Sequence, residues 1–329
     1  MRILYIHNIN RVAETYSKML AQHGHPVDLY EPNLVGGAAP LPVKLALMPA
    51  RVISLRNIVS KLNSNYFDLV HIHWATYGAL GLVSRVPYVV ECHGDDVRNR
   101  LKNPFFRPLL SPILRRAGAV LCITPDLLPI VRAIRPDAIF LPAPIDTEQF
   151  APLEKKEDHP WCILLFARLD PDKGTDIAIQ GIECFVERHP GVRVQLLDWG
   201  LLKSRYKRLY GDRFEFVPPV ASQEVQQLIC SADVVVGQFA LGAIGLSELQ
   251  AMSCARPVIA SFRYTSAYSS PPPLCQAQTP GEVDRQLENL FQHPEEASAI
   301  GQRARAWIIE HHERRILAAR LEKLYQTII

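Results

Sequence analysis

Short apolar runs alternate with longer stretches of helical period along almost the whole chain. In the first half, residues 2–7 (RILYIH), the run after Gly24 (GHPVDLYE), 68–73, 88–92, 119–123 and 138–141 read as strands. Residues 12–23 read as an amphipathic helix. The second half repeats the style, with strands at 162–166, 192–197, 214–217, 234–236 and 257–260. Strands that are apolar at nearly every position and separated by helices belong in parallel sheets. A charged stretch flanked by prolines, 152–160, divides the pattern into domains 1–151 and 152–305. Residues 300–329 carry one long helical pattern ending in LEKLYQTII, with a terminal helix expected over 306–329. The expected class is therefore α/β, with two Rossmann-like domains.

Composition narrows the function classes. A chain of 329 residues suits two domains, and 48% apolar with 21% charged residues is ordinary globular usage. A net charge of +3 and the lack of a Lys/Arg-rich run argue against a nucleic-acid partner. The seven cysteines sit mostly inside apolar segments and form no C-x-x-C pair, so a reduced, cytoplasmic compartment is expected. Met1 leads directly into a strand, which leaves no signal peptide to expect. No apolar run reaches the roughly 18 residues of a membrane span.

Two places carry candidate chemistry. In LFARLDPDKGTDI a strand runs into Arg168, a turn follows with Lys173 and Gly174, and a helix opens at Thr175. Two long cations, five residues apart, stand where open α/β sheets bind ligands. They suit a diphosphate, or they are solvated cations in a polar turn. Later, residues 232–261 read as strand, glycine turn, helix and strand. Gly242 and Gly245 bracket that turn, and the helix starts near Leu246, offering backbone N–H groups and a positive dipole end to phosphate.

These segments carry a resemblance. ARLDPDKG resembles the G-R-x-x-x-x-K-G element of retaining glycosyltransferases with the GT-B fold, the large family four group, also known as glycosyl transferases group 1. GLSELQAMSCARPVIAS resembles their G-L-x-x-x-E-A-M-A-x-G-x-P-V-I-A-S. LPAPIDTEQF is similar to the P-N-x-V-D-x-x-x-F that closes the family's first domain, and VECHGDDV to its HG-x-D loop. The order and spacing of all four elements agree, over nearly the whole chain. The resemblance implies a cleft between two domains and a last helix packed back on the first. It implies a sugar moved from a nucleotide-sugar donor to a hydroxyl acceptor, with the nucleotide sugar a substrate and neither cofactor nor metal required. Arg168, Lys173 and the helix start at Gly245 and Leu246 would stabilise the departing diphosphate. His93 would meet the donor sugar.

The chain also departs from that pattern. The family has two glutamates, with seven residues between them, where this chain has Gly242 and Gln250. Gln250 is expected to keep ribose hydrogen bonds. Glu248 lies about 200° around the helix from the lost position and is no simple replacement. Gln238 is the nearest polar candidate for the space left at Gly242. The first loop, HNINR, lacks the family's glycines; Asn8 and Asn10 are acceptor-side candidates there. His73, Trp74 and Tyr77 at another strand end are acceptor contacts or core packing. His71 and His73 share one face of a strand, which permits a metal, but a third ligand with suitable spacing is missing. Asp95 and Asp96 read as loop and helix-cap residues.

Two basic stretches bear on partners. Residues 98–116 hold six basic residues and no acidic one, and 32–67 hold four and none. In the second, Val52, Leu55, Val59 and Leu62 share a helical face flanked by Arg51 and Arg56, with Lys61 pointing away. Such segments suit either peripheral contact with an anionic membrane, where a lipid-linked acceptor would lie, or ordinary packing. Three functions stay open: a sugar transferase, another GT-B enzyme such as a nucleotide-sugar epimerase or hydrolase, and a non-catalytic carbohydrate- or nucleotide-binding protein.

Overall fold

The computed structural model describes residues 1–32, 46, 48–63, 66–154 and 160–329. The chain divides into two units, Met1–Pro144 with Arg314–Ile329, and Ile145–Glu313. The divisions fall at 144/145 and 313/314 instead of the expected 151/152 and 305/306. Within the charged stretch that suggested the boundary, 155–159 lie outside the described residues.

The first unit holds a parallel sheet of β1 (Ile3–Ile6), β2 (Val27–Tyr30), β3 (Leu69–His73), β4 (Tyr88–Cys92), β5 (Ala119–Cys122) and β6 (Ile139–Phe140). Its order is β2-β1-β3-β4-β5-β6. Every residue of β1, β3, β4 and β5 is buried, because helices cover both faces. Side chains alternate between the faces. Leu4, Ile6, Val70, Ile72 and Val90 join Ile58, Leu62 and Ile113 of the helices Met48–Leu62 and Arg107–Arg116. Ile3, Tyr5, Leu69 and Val89 join Tyr16 of helix Val12–Gln22 and Leu317, Leu321 and Tyr325 of helix Arg314–Gln326.

In the second unit β7 (Cys162–Leu165), β8 (Arg193–Leu197), β9 (Glu215–Val217), β10 (Val234–Val236), β11 (Val258–Ala260) and β12 (Cys275–Gln276) form a parallel sheet in the order β12-β11-β10-β7-β8-β9. The two-residue β12 is too short to show a period and was not expected from the sequence. The single long helix expected over 300–329 is two helices, Pro294–His312 and Arg314–Gln326. Glu313 breaks it with ψ 126°. There the chain pairs with Ile145, whose N–H donates to the His312 carbonyl at 2.7 Å, and the Thr147 hydroxyl donates to the Glu313 carboxylate.

In each sheet the chain first extends to one side of its opening strand and then returns to the other. The resulting switch points, β1/β3 and β7/β10, are where open α/β sheets leave a crevice at the strands' carboxyl ends.

The structure sorts the basic stretches. Leu110, Ile113 and Leu114 face the core, while Phe105 is 82% and Leu109 66% exposed. In helix Met48–Leu62, Ile58 and Leu62 are buried and Val59 packs against the core; the side chains of Arg51, Val52 and Leu55 lie outside the described residues. Among the described residues no helix is long and apolar enough to cross a membrane.

Candidate active site

At β7/β10 the two sequence elements meet. The turn after β7 carries half-exposed Arg168, whose Nε lies 3.2 Å from Asp170 Oδ2. The other Asp170 oxygen accepts the Leu201 N–H at 2.7 Å. The Leu169 N–H donates to the Trp199 carbonyl at 2.9 Å, which binds the turn to the loop after β8. Gly200 permits this approach: its φ is +125°, and a Cβ there would lie 2.6 Å from Leu169 backbone. Trp199 is thereby held with its ring 5.7 Å from the Arg168 guanidinium. A lone tryptophan in a sequence carries no signal of that contact.

Lys173 closes a single 3-10 turn before Gly174, whose φ of +69° starts helix Thr175–Arg188. The Lys173 carbonyl accepts the Phe239 N–H at 2.8 Å, and Lys173 Nζ donates to Gln238 Oε1 at 3.2 Å. A Cβ on Gly174 would lie 2.9 Å from the Ala240 nitrogen, so only glycine lets the β7 and β10 loops come this close. Helix Leu246–Ser253 follows, and its first N–H groups have no partner within the helix.

One expectation changes here. Gln238 does not take the space at Gly242; its amide nitrogen donates to the Ala243 carbonyl at 2.7 Å. Arg263 lies against Gly242 instead, where a Cβ would meet its Nε at 2.2 Å, and Gly242 has φ +64°. The backbone here is built around glycine, with no room for a carboxylate unless Arg263 moves. Glu248 is buried, and both of its oxygens serve backbone: Oε1 accepts the Gln238 N–H at 2.8 Å and Oε2 the Gly245 N–H at 3.0 Å. It therefore ties the loop to the helix start, and burial raises its pKa. Gln250 remains half-buried on the same helix.

At β1/β3 the backbone is strained. His7, Asn10, Arg11 and Trp74 have φ of 72°, 51°, 61° and 136°. Asparagine tolerates this region, but for the others it costs roughly 1–3 kcal/mol each, and such residues cluster at functional sites. The loop thus has left-handed turns without the family's glycines. The Asn8 side-chain oxygen accepts the Glu14 N–H at 3.2 Å, which caps the following helix, and Asn10 is exposed. The His7 ring lies 5.1 Å from Tyr77 and 6.3 Å from Trp74, both half-buried. His7 was not singled out in the sequence, because nothing local shows that β1 and β3 are neighbours.

His73 departs from the expectation of an acceptor contact. Strand alternation sends it inward, fully buried, with Nδ1 donating to Glu91 Oε2 at 2.6 Å. His93 Nε2 lies 3.1 Å from the same oxygen, and its side chain is only 1% exposed. The His71 ring stacks on His73 at 4.2 Å, and the Tyr325 hydroxyl lies 2.5 Å from His71 Nδ1 and 2.9 Å from the Tyr5 hydroxyl. The ligand lacking from the His-x-His pair is supplied by β4: His71, His73 and Glu91 offer ligand atoms within 4.8 Å of one another. Register brings Glu91 opposite His73, which sequence spacing cannot show. Burial holds both imidazoles below the usual histidine range. Burial opposes the charge on Glu91, but His73 and His93 outweigh it and hold the carboxyl well below its usual range.

Asp96 is not a helix cap. It is fully buried, its Oδ1 accepting the His93 and Gly94 N–H groups at 3.0 and 2.8 Å and its Oδ2 the Ala75 N–H at 2.7 Å. It clamps the loop after β4 to the loop after β3.

Comparison with known proteins places this geometry. The family described as glycosyl transferase 4-like domain matches residues 9–140, and that described as glycosyl transferases group 1 matches 161–269. D-inositol 3-phosphate glycosyltransferase from Saccharomonospora viridis is 24% identical over 60% of this chain and 54% of its own. The chain spans about half the length of the curated relatives it matches. Sucrose-phosphate synthase from Thermosynechococcus elongatus superposes with a TM-score of 0.76 at 17% identity, over 100% of this chain and 99% of that one. HepE from Anabaena, in complex with UDP and glucose, gives 0.73 at 15%, over 99% and 100%. Each half thus carries a glycosyltransferase family match, and the two parallel sheets are those of the GT-B fold.

Proposed function

We propose that this protein transfers a sugar from a nucleotide-sugar donor to a hydroxyl acceptor, with retention and without a metal. The carrying observation is Lys173 bound to Gln238, which shares Glu248 with the start of helix Leu246–Ser253, with Arg168 on the same β7 turn at the β7/β10 switch point. As the glycosidic bond breaks, negative charge grows on the departing diphosphate. A guanidinium, an ammonium and a helix N-terminus supply a preorganised positive field for it. HepE, which shares the fold, was solved with UDP and glucose, so UDP and UDP-glucose are the first ligands to try. The acceptor belongs at the β1/β3 switch point, where His7, Trp74 and Tyr77 form a ring cluster on strained backbone.

The test is a thermal-shift screen of nucleoside diphosphates and nucleotide sugars, followed by transfer or slow hydrolysis of each donor that binds, with product anomer analysis. His93→Ala is expected to bind the nucleotide as wild type does and to lose most turnover. Equal hydrolysis by both proteins makes His93 a structural residue. One observation favours a second reading. With Arg263 against Gly242, the family's first carboxylate has no counterpart in this chain, as a non-catalytic nucleotide-sugar-binding protein would allow. Binding without turnover of any donor selects that reading.

The acceptor is a glycan, a lipid-linked sugar or a small molecule, and the exposed Phe105, Phe106 and Leu109 beside the basic residues of 98–116 favour peripheral contact with an anionic membrane. Co-sedimentation with anionic vesicles should fall when Phe105 and Leu109 become serine. Equal sedimentation with neutral vesicles, or none with anionic ones, removes the membrane contact.

A further inference from the structure

We propose that Glu91 is a positioning residue for His93: its buried carboxylate takes the His93 Nε2–H and leaves Nδ1 as the ring's open acceptor for a substrate hydroxyl. The inference deepens the transfer reading, and its kinetic test rests on that reading.

Glu91 and His93 are two apart along β4 and its exit, so their side chains leave the same side of the chain. Glu91 Oε2 stands between two imidazoles, 2.6 Å from His73 Nδ1 and 3.1 Å from His93 Nε2. A carboxylate oxygen only accepts, so both nitrogens facing it are favoured with a proton. The bond to His73 is formed. His93 Nε2 is at hydrogen-bond distance but off the bond direction, as such pairs often are before substrate aligns them.

The surroundings hold Glu91 still. His73 faces it across the β3/β4 register, His71 stacks on His73, and Tyr325 and Tyr5 extend the chain of contacts to the last helix and to β1. Asp96 fixes the His93 backbone from the other side, through the His93 and Gly94 N–H groups. The His93 backbone is thus fixed and its ring nitrogen lies within reach of the carboxylate.

The tautomer of a neutral imidazole is set by what its nitrogens face. With its proton on Nε2 toward Glu91, His93 keeps a lone pair on Nδ1. That atom is buried and has no partner among the described residues. Buried polar atoms are rarely left so, and this one lies in the loop at the carboxyl end of β4, where a ligand hydroxyl would complete it.

The test uses the full chain labelled with nitrogen-15 at histidine, with His93 assigned by the signal lost in His93→Gln. At a pH above the ordinary histidine range, wild-type His93 should carry its proton on Nε2. Glu91→Gln keeps an acceptor oxygen and should keep that tautomer; Glu91→Leu removes the acceptor and should give a mixture. In donor hydrolysis or transfer, kcat should fall on the order of tenfold in Glu91→Gln and further in Glu91→Leu, with the donor KM unchanged, the scale seen when a partner orienting a functional histidine is removed. A purely structural role would lower the melting temperature without this split. A wild-type His93 protonated on Nδ1 overturns the proposal, as does wild-type kcat in folded Glu91→Gln. If Glu91→Leu does not fold, wild type and Glu91→Gln still decide. If no form turns over, the transfer reading fails and the tautomer alone judges Glu91.

Discussion

Lys173→Ala should weaken nucleoside-diphosphate binding by about 1.5–3 kcal/mol, the scale of a hydrogen bond to a charged group and roughly a 10- to 150-fold loss. Lys173 Nζ is aimed by Gln238, and its carbonyl is fixed by the Phe239 N–H, so the ammonium is already placed when a ligand arrives. Little ordering entropy then offsets its attraction for a diphosphate. Calorimetry on the folded variant decides, and unchanged affinity would remove Lys173 from the donor site. The same series separates its neighbours. Gln250→Ala should lose nucleotide-sugar affinity if its amide holds the ribose. Glu248→Ala should chiefly destabilise, by about 1–3 kcal/mol, since it leaves two backbone N–H groups without their acceptor. The reverse pattern would make Glu248 the working carboxylate.

A second large effect is expected on mild acidification. Burial keeps His71 well below the usual histidine range and lowers His73 as well. A group whose folded pKa is depressed stabilises the fold above its unfolded value, near 6.5 for histidine, and that stability is lost as pH falls through it. From pH 7 to pH 5 each ring that stays neutral in the folded protein should remove about 2 kcal/mol. Glu91, also depressed, adds its loss only below about pH 4.3, the ordinary glutamate value. Hydrogen exchange of the β1 and β3 amides reports this for the first unit. His71→Gln should flatten the dependence. Equal protection of wild type at pH 7 and pH 5 would show that the buried rings accept protons without cost.

Sequence alone determined the class of fold and most strand positions, because strands buried on both faces must be apolar at nearly every residue. ILYI, CILL and VVV could hardly be anything else. It also determined the donor-side candidates, since Arg168, Lys173, Gly174 and Gly245 lie in two short segments whose chemistry and spacing are local. The break at Glu313 escaped it: the run around 313 is helical by pattern, and only the pairing with Ile145, far away in the chain, ends the helix. Tertiary structure likewise decided the fate of the polar residues inside the first unit. His73 and Trp74 are neighbours in sequence, yet alternation buries one against Glu91 and sends the other to the sheet's carboxyl edge beside His7. Glu91, Asp96 and Arg263 act through partners that lie on other strands or loops, brought together by register and by the packing of loops. Those contacts are set by the burial of the whole sheet, an energy summed over many residues, and no short window of sequence contains it.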